Sequence, residues 1–295
     1  MQKVQLAYFG TPDFSAEFLH QILSDPELPI EIKHVFTQPD RPAGRKQVLT
    51  KTPVREMAEQ HGLTVHTDLN NAVSLLKEVD LVLLFAYGKI IKKELLDAPK
   101  YGFWNIHPSL LPKYRGPAPM ATPLLNGDNE TGVTLMLMDK EMDHGPIIAQ
   151  YACYIFPVWR RDQLEKHLID LSFSLFKKVI SAHASDLGNV PNVDQHHAEA
   201  TYTKLMKKDD GYIPFEEIRH ADASKKREIF NKFRAYYPWP GIWTRVNVDG
   251  RELRLKITKI HWENDDMVIK KVQLEGKNEV DFDQFEKAYK LFLTF

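Results

Sequence analysis

Two polar side chains with chemical potential stand two positions apart near the middle of the chain. They are Asn105 and His107, within residues 103–107. Side chains alternate between the faces of a strand, so both point the same way if this stretch is extended. An amide can donate a hydrogen bond to a developing oxyanion, and an imidazole can donate a bond or move a proton near neutral pH. The pair indicates a reaction centre, and a satisfied polar pair at a strand end is the alternative interpretation.

Asp143 is the carboxylate that could complete such a centre. It lies in the acidic loop 139–146, after a predicted strand over residues 132–138. A carboxylate beside His107 could orient the imidazole and accept a proton directly or through water. The alternative is a solvated loop aspartate, because the sequence does not show that Asp143 and His107 meet.

The elements predicted before this point would place the pair at the edge of a sheet. Apolar segments at 4–9, 30–37 and 81–86 predict buried strands, and apolar spacing predicts a helix over 14–23 with Asp13 as its N-cap. This strand–helix–strand order indicates an α/β fold with a parallel sheet. Ligands of such sheets bind beyond the carboxyl ends of the strands, where residues 87–91 also fall.

Composition limits the class of protein. The 295 residues are enough for two domains, and 43% hydrophobic residues predict an ordered core. A net charge of −1 provides no global basic excess, so contact with nucleic acid would need a local patch. The single cysteine, Cys153, excludes an internal disulfide and suits a reducing, cytoplasmic setting. No segment predicts a signal peptide or a membrane span.

The pattern changes after residue 185. Residues 186–192 are mostly polar with glycine and proline, which predicts a linker. Short alternating strands at 243–248, 253–260 and 267–271, with a hairpin turn at Asp249-Gly250, then predict a small β-barrel. We therefore predict a first domain over 1–185, a linker over 186–203 and a second domain over 204–295.

One loop of the first domain combines charge with stiffness. Residues 38–46 contain two prolines, a glycine and the cations Arg41, Arg45 and Lys46. The loop is either a solvated surface segment or a contact for an anionic ligand.

Asn105 and His107 belong to a longer motif, Asn105-Ile106-His107-Pro108-Ser109-Leu110-Leu111-Pro112. It is followed by Arg115-Gly116 and by Asp143 in Met142-Asp143-His144-Gly145. Together these residues resemble the 10-formyltetrahydrofolate-dependent formyltransferases. That family shares one catalytic domain among several acceptors, which are methionyl-tRNA, glycinamide ribonucleotide, nucleotide-linked amino sugars and water. Residues 10–14, 37–45 and 237–241 further resemble the members that formylate methionyl-tRNA.

The resemblance covers essentially the whole chain. It implies a Rossmann-like, mostly parallel sheet with a smaller C-terminal OB-like β-barrel domain. It implies catalysis by Asn105, His107 and Asp143, without metal. The folate site would be lined by Phe85, Ala86, Tyr87, Gly88, Ile90, Ser109, Leu110, Leu111 and Pro112. The tRNA would contact Arg41, Arg45, Lys46, Lys207 and Lys208.

The function implied is transfer of the formyl group of 10-formyltetrahydrofolate to the α-amino group of an initiator-type methionyl-tRNA by a cytoplasmic monomer. Two alternatives stay open. A sugar-nucleotide N-formyltransferase would use the same donor but has no need of the basic loop. An RNA-binding module with a degenerate catalytic domain is favoured by the OB-like barrel and opposed by the intact Asn105, His107 and Asp143.

Overall fold

A computed structural model describes residues 3–44 and 47–291 and separates into two compact units. The first unit comprises the described residues up to Pro119, with Thr131–Cys153 and Glu165–Tyr202. The second comprises Met120–Glu130, Tyr154–Leu164 and the described residues from Thr203 onward. The domain boundaries at 185 and 204 stay a prediction, because compactness alone does not show which parts fold independently.

A seven-stranded sheet organises the first unit. The strands of this part of the chain are β1 Val4–Gly10, β2 Ile30–Phe36, β3 Arg41–Ala43, β4 Val48–Thr50, β5 Val65–His66, β6 Leu81–Phe85, β7 Phe103–His107, β8 Glu130–Leu137 and β9 Ile147–Tyr154. The large sheet has the order β5-β2-β1-β6-β7-β8-β9, and β3 pairs with β4 in a separate two-stranded sheet. Strands β5, β2, β1, β6 and β7 are parallel neighbours, whereas β7 and β8 are antiparallel. The predicted mostly parallel, Rossmann-like sheet is confirmed.

In the described part of the chain, five helices lie between these strands and a sixth follows β9. They are α1 Asp13–Ser24, α2 Pro53–Gln60, α3 Ala72–Leu76, α4 Lys93–Leu96, α5 Thr122–Asn126 and α6 Arg161–His183. Helix α1 buries Phe18, Leu19 and Ile22, the apolar face that predicted it. The predicted N-cap was wrong: Pro12 occupies that position with extended backbone, and Asp13 is the first helical residue. A carboxylate in the first turn still interacts favourably with the positive end of the helix dipole.

The core lies along the central strands. Every residue of β6 is buried, as the continuous apolar run predicted for a strand covered on both faces. The Phe9 ring packs against Phe36, Tyr87 and Phe103, with ring centroids 4.4 to 5.4 Å apart. Burial of each such aromatic side chain stabilises the fold by about 1.5–3 kcal/mol. The ends of β6 and β7 are thereby held on a rigid base.

The second unit contains an antiparallel sheet of four strands, β10 Ile242–Val248, β11 Arg251–Glu263, β12 Asp266–Leu274 and β13 Glu279–Asp281. Its helices include α7 Phe215–Arg219, α8 Ala223–Tyr236 and α9 Phe282–Tyr289. Asp249 and Gly250 have φ values of 51° and 77°, as a tight hairpin turn between β10 and β11 requires. The predicted smaller C-terminal β domain is confirmed. Among the described residues, no helix has the length and apolar character to cross a membrane.

Candidate active site

Strand β7 carries Asn105 and His107 on one side of its backbone. Their exposed fractions are 6% and 4%, so both polar side chains are taken out of bulk water. Asn105 is in register with Leu84 of β6 and Met136 of β8, and His107 is in register with Thr134. The strand ends at His107, and the proline-rich loop 108–112 begins directly after it.

Asp143 meets both side chains, although it comes from the loop between β8 and β9. Its Oδ1 lies 3.5 Å from Asn105 Nδ2 and 3.5 Å from His107 Nδ1. Its Oδ2 accepts a 2.7 Å hydrogen bond from the backbone N–H of Gly116. The three predicted side chains therefore form one cluster, with the carboxylate held by a backbone donor.

The second nitrogen of His107 determines its tautomer. Nε2 lies 2.9 Å from the carbonyl oxygen of Tyr114. A carbonyl only accepts hydrogen bonds, so Nε2 carries the proton. In the neutral ring, Nδ1 then presents a lone pair toward Asp143. His107 Nδ1 and Asp143 Oδ1 are thus two acceptors 3.5 Å apart, and either could take a proton from a substrate as a general base.

The loop after β7 is tied to the neighbouring strands by side-chain hydrogen bonds. Thr134 Oγ1 of β8 donates to the Ser109 carbonyl at 2.7 Å and accepts from the Leu111 N–H at 3.1 Å. Gln150 Nε2 of β9 donates to Thr134 Oγ1 at 2.8 Å and to the Leu111 carbonyl at 2.9 Å. Ser109 Oγ donates to the Lys113 carbonyl at 2.6 Å. The loop is thus held rigidly.

Sequence reasoning missed Thr134 and Gln150. Thr134 is a polar residue within an otherwise apolar strand and is fully buried, so its type was the available signal. Gln150 lies on an alternating strand, where nothing local distinguishes it from a solvated side chain.

The segment after β6 presents backbone rather than large side chains. Ala86 and Gly88 have positive φ values of 57° and 79°. The carbonyl of Tyr87 accepts 2.9 Å hydrogen bonds from Thr11 Oγ1 and Gln38 Nε2, which hold the turn. A Cβ at Gly88 would lie 2.6 Å from Gln38 Nε2, so a larger residue would displace this amide.

The residues predicted to line a folate site differ in exposure. Phe85, Tyr87, Ser109 and Leu111 are buried, and the Phe85 ring packs against Phe14 and Phe18. Burial also raises the pKa of the Tyr87 hydroxyl, which stays neutral. Side chains with more accessible surface are those of Ala86, Ile90, Leu110 and Pro112, and Ile90 is 83% exposed.

The predicted basic loop is a short hairpin. Strands β3 and β4 pair with Arg41 opposite Thr50, which the prolines and glycine of the sequence did not indicate. Asp40 accepts hydrogen bonds of 3.0 and 2.9 Å from Arg55 Nη1 of α2 and so ties the start of the hairpin to that helix. The Arg41 guanidinium donates to the amide oxygen of Gln38. The other two predicted cations, Arg45 and Lys46, lie outside the described residues.

The predicted cations of the second unit are Lys207 and Lys208, and both are exposed. A short 3-10 turn spans Lys208–Gly211, and the Trp243 Nε1 donates to the Lys208 carbonyl at 3.3 Å. The backbone at this point is therefore anchored while the two ammonium groups face solvent.

Comparison with known proteins assigns the chain to a family. The family described as formyl transferase matches residues 2–180. Methionyl-tRNA formyltransferase of Thermotoga neapolitana is 39% identical over 259 residues, which cover 85% of this chain and 78% of that protein. The enzyme of that name from Kosmotoga olearia is 37% identical over 264 residues, covering 86% of this chain and 78% of its own.

A solved structure shares the fold. An N-formyltransferase from Helicobacter canadensis, in complex with folinic acid and dTDP-3-aminofucose, superposes with a TM-score of 0.62 at 21% identity. The alignment covers 94% of this chain and 98% of that one. With the family match over most of the first unit and two relatives of substantial identity, the chain belongs to the formyl transferase family and is an enzyme.

Proposed function

We propose that the chain transfers the formyl group of 10-formyltetrahydrofolate to the α-amino group of initiator-type methionyl-tRNA, giving N-formylmethionyl-tRNA for translation initiation in the cytoplasm. The observation that carries the proposal is the contact of Asp143 with both Asn105 and His107 at the carboxyl end of β7. The names of relatives that are 37% and 39% identical support methionyl-tRNA as the acceptor. The proposal takes the acting form to be a monomer.

Transfer of a formyl group requires an oxyanion to be held while the amine attacks the formyl carbon. Asn105 Nδ2 is the donor for that oxyanion, because its amide N–H groups point into the cluster. Such a preorganised donor in a buried site is worth about 2.7–4 kcal/mol, a factor of about 10²–10³ in kcat. The rigid strand beneath Asn105 means that little reorganisation is needed during the reaction.

The attacking amine must also lose a proton, and the leaving folate nitrogen must gain one. His107 is suited to this exchange because its Nδ1 carries the lone pair while Nε2–H is bound to the Tyr114 carbonyl. Asp143 stabilises the imidazolium that results, since Oδ1 faces Nδ1 and Oδ2 is fixed by Gly116. Direct acceptance of the proton by Asp143, or acceptance through a water, uses the same geometry.

The donor fits the two loops that flank this cluster. A pteridine ring system needs an apolar slot with backbone polar groups at its edge. The turn at Ala86–Gly88 presents backbone groups through its positive φ values, and Leu110 and Ile90 supply accessible apolar surface. The buried Phe85, Tyr87 and Leu111 would support this slot from behind. When bound, 10-formyltetrahydrofolate supplies the activated formyl group.

The acceptor needs cations on the protein surface. Arg41 is exposed at the base of the β3–β4 hairpin, and Lys207 and Lys208 are exposed in the second unit. A guanidinium can form a forked pair with a phosphate, and each ammonium can neutralise one phosphate. Arg45 and Lys46 extend the same proposal on the basis of sequence.

A panel of acceptors with 10-formyltetrahydrofolate tests the proposal. We expect formylation of methionyl-tRNA, and we expect Asn105→Ala, His107→Ala and Asp143→Ala each to lower kcat at least 10²-fold with an intact fold. His20→Ala, which changes an exposed histidine of α1, serves as the control. Faster formylation of an aminosugar nucleotide would favour the sugar-nucleotide alternative. Absence of transfer to every acceptor would instead favour an RNA-binding module, and near-normal kcat in a folded His107→Ala variant would remove His107 from the mechanism.

A further inference from the structure

Gln195 holds the loop that carries Asp143. Its Nε2 donates to the carbonyl oxygen of Asp143 at 3.0 Å and to that of Gly145 at 2.8 Å. Only 4% of Gln195 is exposed, so these bonds are shielded from water. Both N–H groups of the amide are thereby committed to the backbone on either side of His144. The two contacts join residues that are 52 and 50 positions apart in the sequence.

A buried arginine determines which way the Gln195 amide faces. Arg115 is 2% exposed and donates to Gln195 Oε1 from Nε at 3.2 Å and from Nη2 at 2.6 Å. Arg115 Nη2 also lies 2.9 Å from His197 Nδ1. A guanidinium has only donors, so the amide oxygen must face Arg115 and the NH₂ group must face the Asp143 loop. In a flipped Gln195 amide, the NH₂ group would face the N–H groups of Arg115, and the oxygen would face the carbonyls of Asp143 and Gly145.

The loop that Gln195 holds contains one unfavourable backbone conformation and one close approach of backbone to backbone. Asp143 has a φ of 52°, in the left-handed region where the Cβ of a residue with a side chain approaches the following carbonyl oxygen unfavourably. Gly145 packs so closely against the Leu137 carbonyl that a Cβ there would collide with it. The Gln195 amide bonds the carbonyl at each of these two positions and so helps to hold Asp143 in its unfavourable backbone conformation.

We propose that Gln195 is a positioning residue for formyl transfer, which fixes the carboxylate of Asp143 against His107 and Asn105. The inference rests on the function proposed above, because Asp143 must take part in the reaction for its placement to matter. The Gln195 amide contacts the backbone of the Asp143 loop through Nε2 and the Arg115 side chain through Oε1, so it acts through Asp143 and not on the reacting atoms. Displacement of a reacting group by about 1 Å can cost about 10²-fold in rate, so loss of the two bonds should lower kcat by about that factor.

Gln195→Glu tests the inference with an isosteric change. The carboxylate keeps an acceptor for Arg115, so the buried cation stays paired, but it removes both donors and faces two carbonyls. We expect kcat to fall about 10²-fold while KM for methionyl-tRNA and for 10-formyltetrahydrofolate changes less than about twofold. Gln195→Ala should lower kcat similarly and also lower the melting temperature, because Arg115 loses its acceptor. Gln273→Glu is the control, since Gln273 Nε2 donates to the Lys277 carbonyl within the second unit.

A double-mutant cycle with Asp143→Ala separates positioning from general damage. If Gln195 acts through Asp143, the Gln195→Glu change should lower the residual kcat of Asp143→Ala by less than about twofold. The same large fold-loss in both backgrounds, or full activity of a folded Gln195→Glu or Gln195→Ala variant, would overturn the inference. The rate of the unmodified protein and that of Asp143→Ala report on the proposed function separately, because they do not involve Gln195.

Discussion

Replacing Thr134 by valine should release the proline-rich loop 108–112 from β8 without changing the shape of the buried side chain. The hydroxyl of Thr134 is fully buried and joins the Ser109 carbonyl, the Leu111 N–H and the Gln150 amide. Valine fills the same volume but neither donates nor accepts, so the Leu111 N–H loses its acceptor. Gln150 is exposed and keeps the Leu111 carbonyl as a partner, so it adds little to the cost.

The expected loss follows from the groups that stay buried. An unsatisfied buried donor or acceptor costs about 1–3 kcal/mol, and the methyl group recovers part of this by its apolar burial. We therefore expect Thr134→Val to lower the free energy of unfolding by about 2 kcal/mol. Hydrogen exchange at the Leu111 amide should accelerate by about 10-fold or more, since 1.4 kcal/mol corresponds to a factor of ten. KM for 10-formyltetrahydrofolate should rise, because Leu111 and Ser109 belong to the proposed donor site.

The same strand offers a matched control. Thr131 is 2% exposed, and its Oγ1 has no hydrogen-bond partner among the described residues. Thr131→Val removes a buried hydroxyl that bonds nothing, so stability should be unchanged or rise by about 1 kcal/mol. Urea unfolding of the two variants, with exchange measured in parallel, compares one chemical change in two environments. Equal stability of both variants, with equal protection of the Leu111 amide, would refute the reasoning.

Two further perturbations address charge. Arg41→Ala should raise KM for methionyl-tRNA about tenfold and make the salt dependence of tRNA binding shallower by about one contact, with folate binding hardly changed. Kinetics at several salt concentrations, with exposed Lys77→Ala as control, measure this, and an unchanged KM and salt slope would favour the sugar-nucleotide alternative. Burial lowers the pKa of His34 and of His66, and His66 Nε2 lies 3.2 Å from His34 Nδ1. The pKa of each imidazole is therefore lower in the folded protein than its value of about 6.5 in the unfolded chain. The stability that the two residues contribute is complete above about pH 6.5 and is lost as pH falls through their folded pKa values. His66→Gln should therefore flatten the free energy of unfolding between pH 5 and 7, and an unaltered slope in a pH series of urea titrations would contradict the assignment.

Local rules predicted the parts of the fold that depend on neighbours in sequence. The apolar run of β6 and the turn at Asp249-Gly250 each follow from residue types within a few positions, and both are confirmed. The alternation of side chains along β7 predicts that Asn105 and His107 lie on one side of the strand. That Asp143 joins them depends on how β8 and β9 are arranged, which no local pattern specifies.

Contacts across long stretches of chain were beyond such rules. Thr134 reaches Leu111 over 23 residues, and Gln195 reaches Asp143 over 52 residues. The β3–β4 hairpin was predicted as a loop because its three-residue strands show no alternation and contain Pro42. The ion pair between Asp40 and Arg55 ties the start of this hairpin to α2. Because Arg55 lies in a separate helix, the local sequence of the hairpin does not predict this contact.

The placement of Gln195 has a consequence for exchange of domains between proteins. The match to the formyl transferase family ends at residue 180, whereas the first compact unit continues to Tyr202. A chimera joined at residue 180 would inherit Asn105, His107 and Asp143 from one parent and the amide that steadies their loop from the other. A chimera of two members of this family should therefore be joined after residue 202, so that Arg115 and Gln195 come from the same parent.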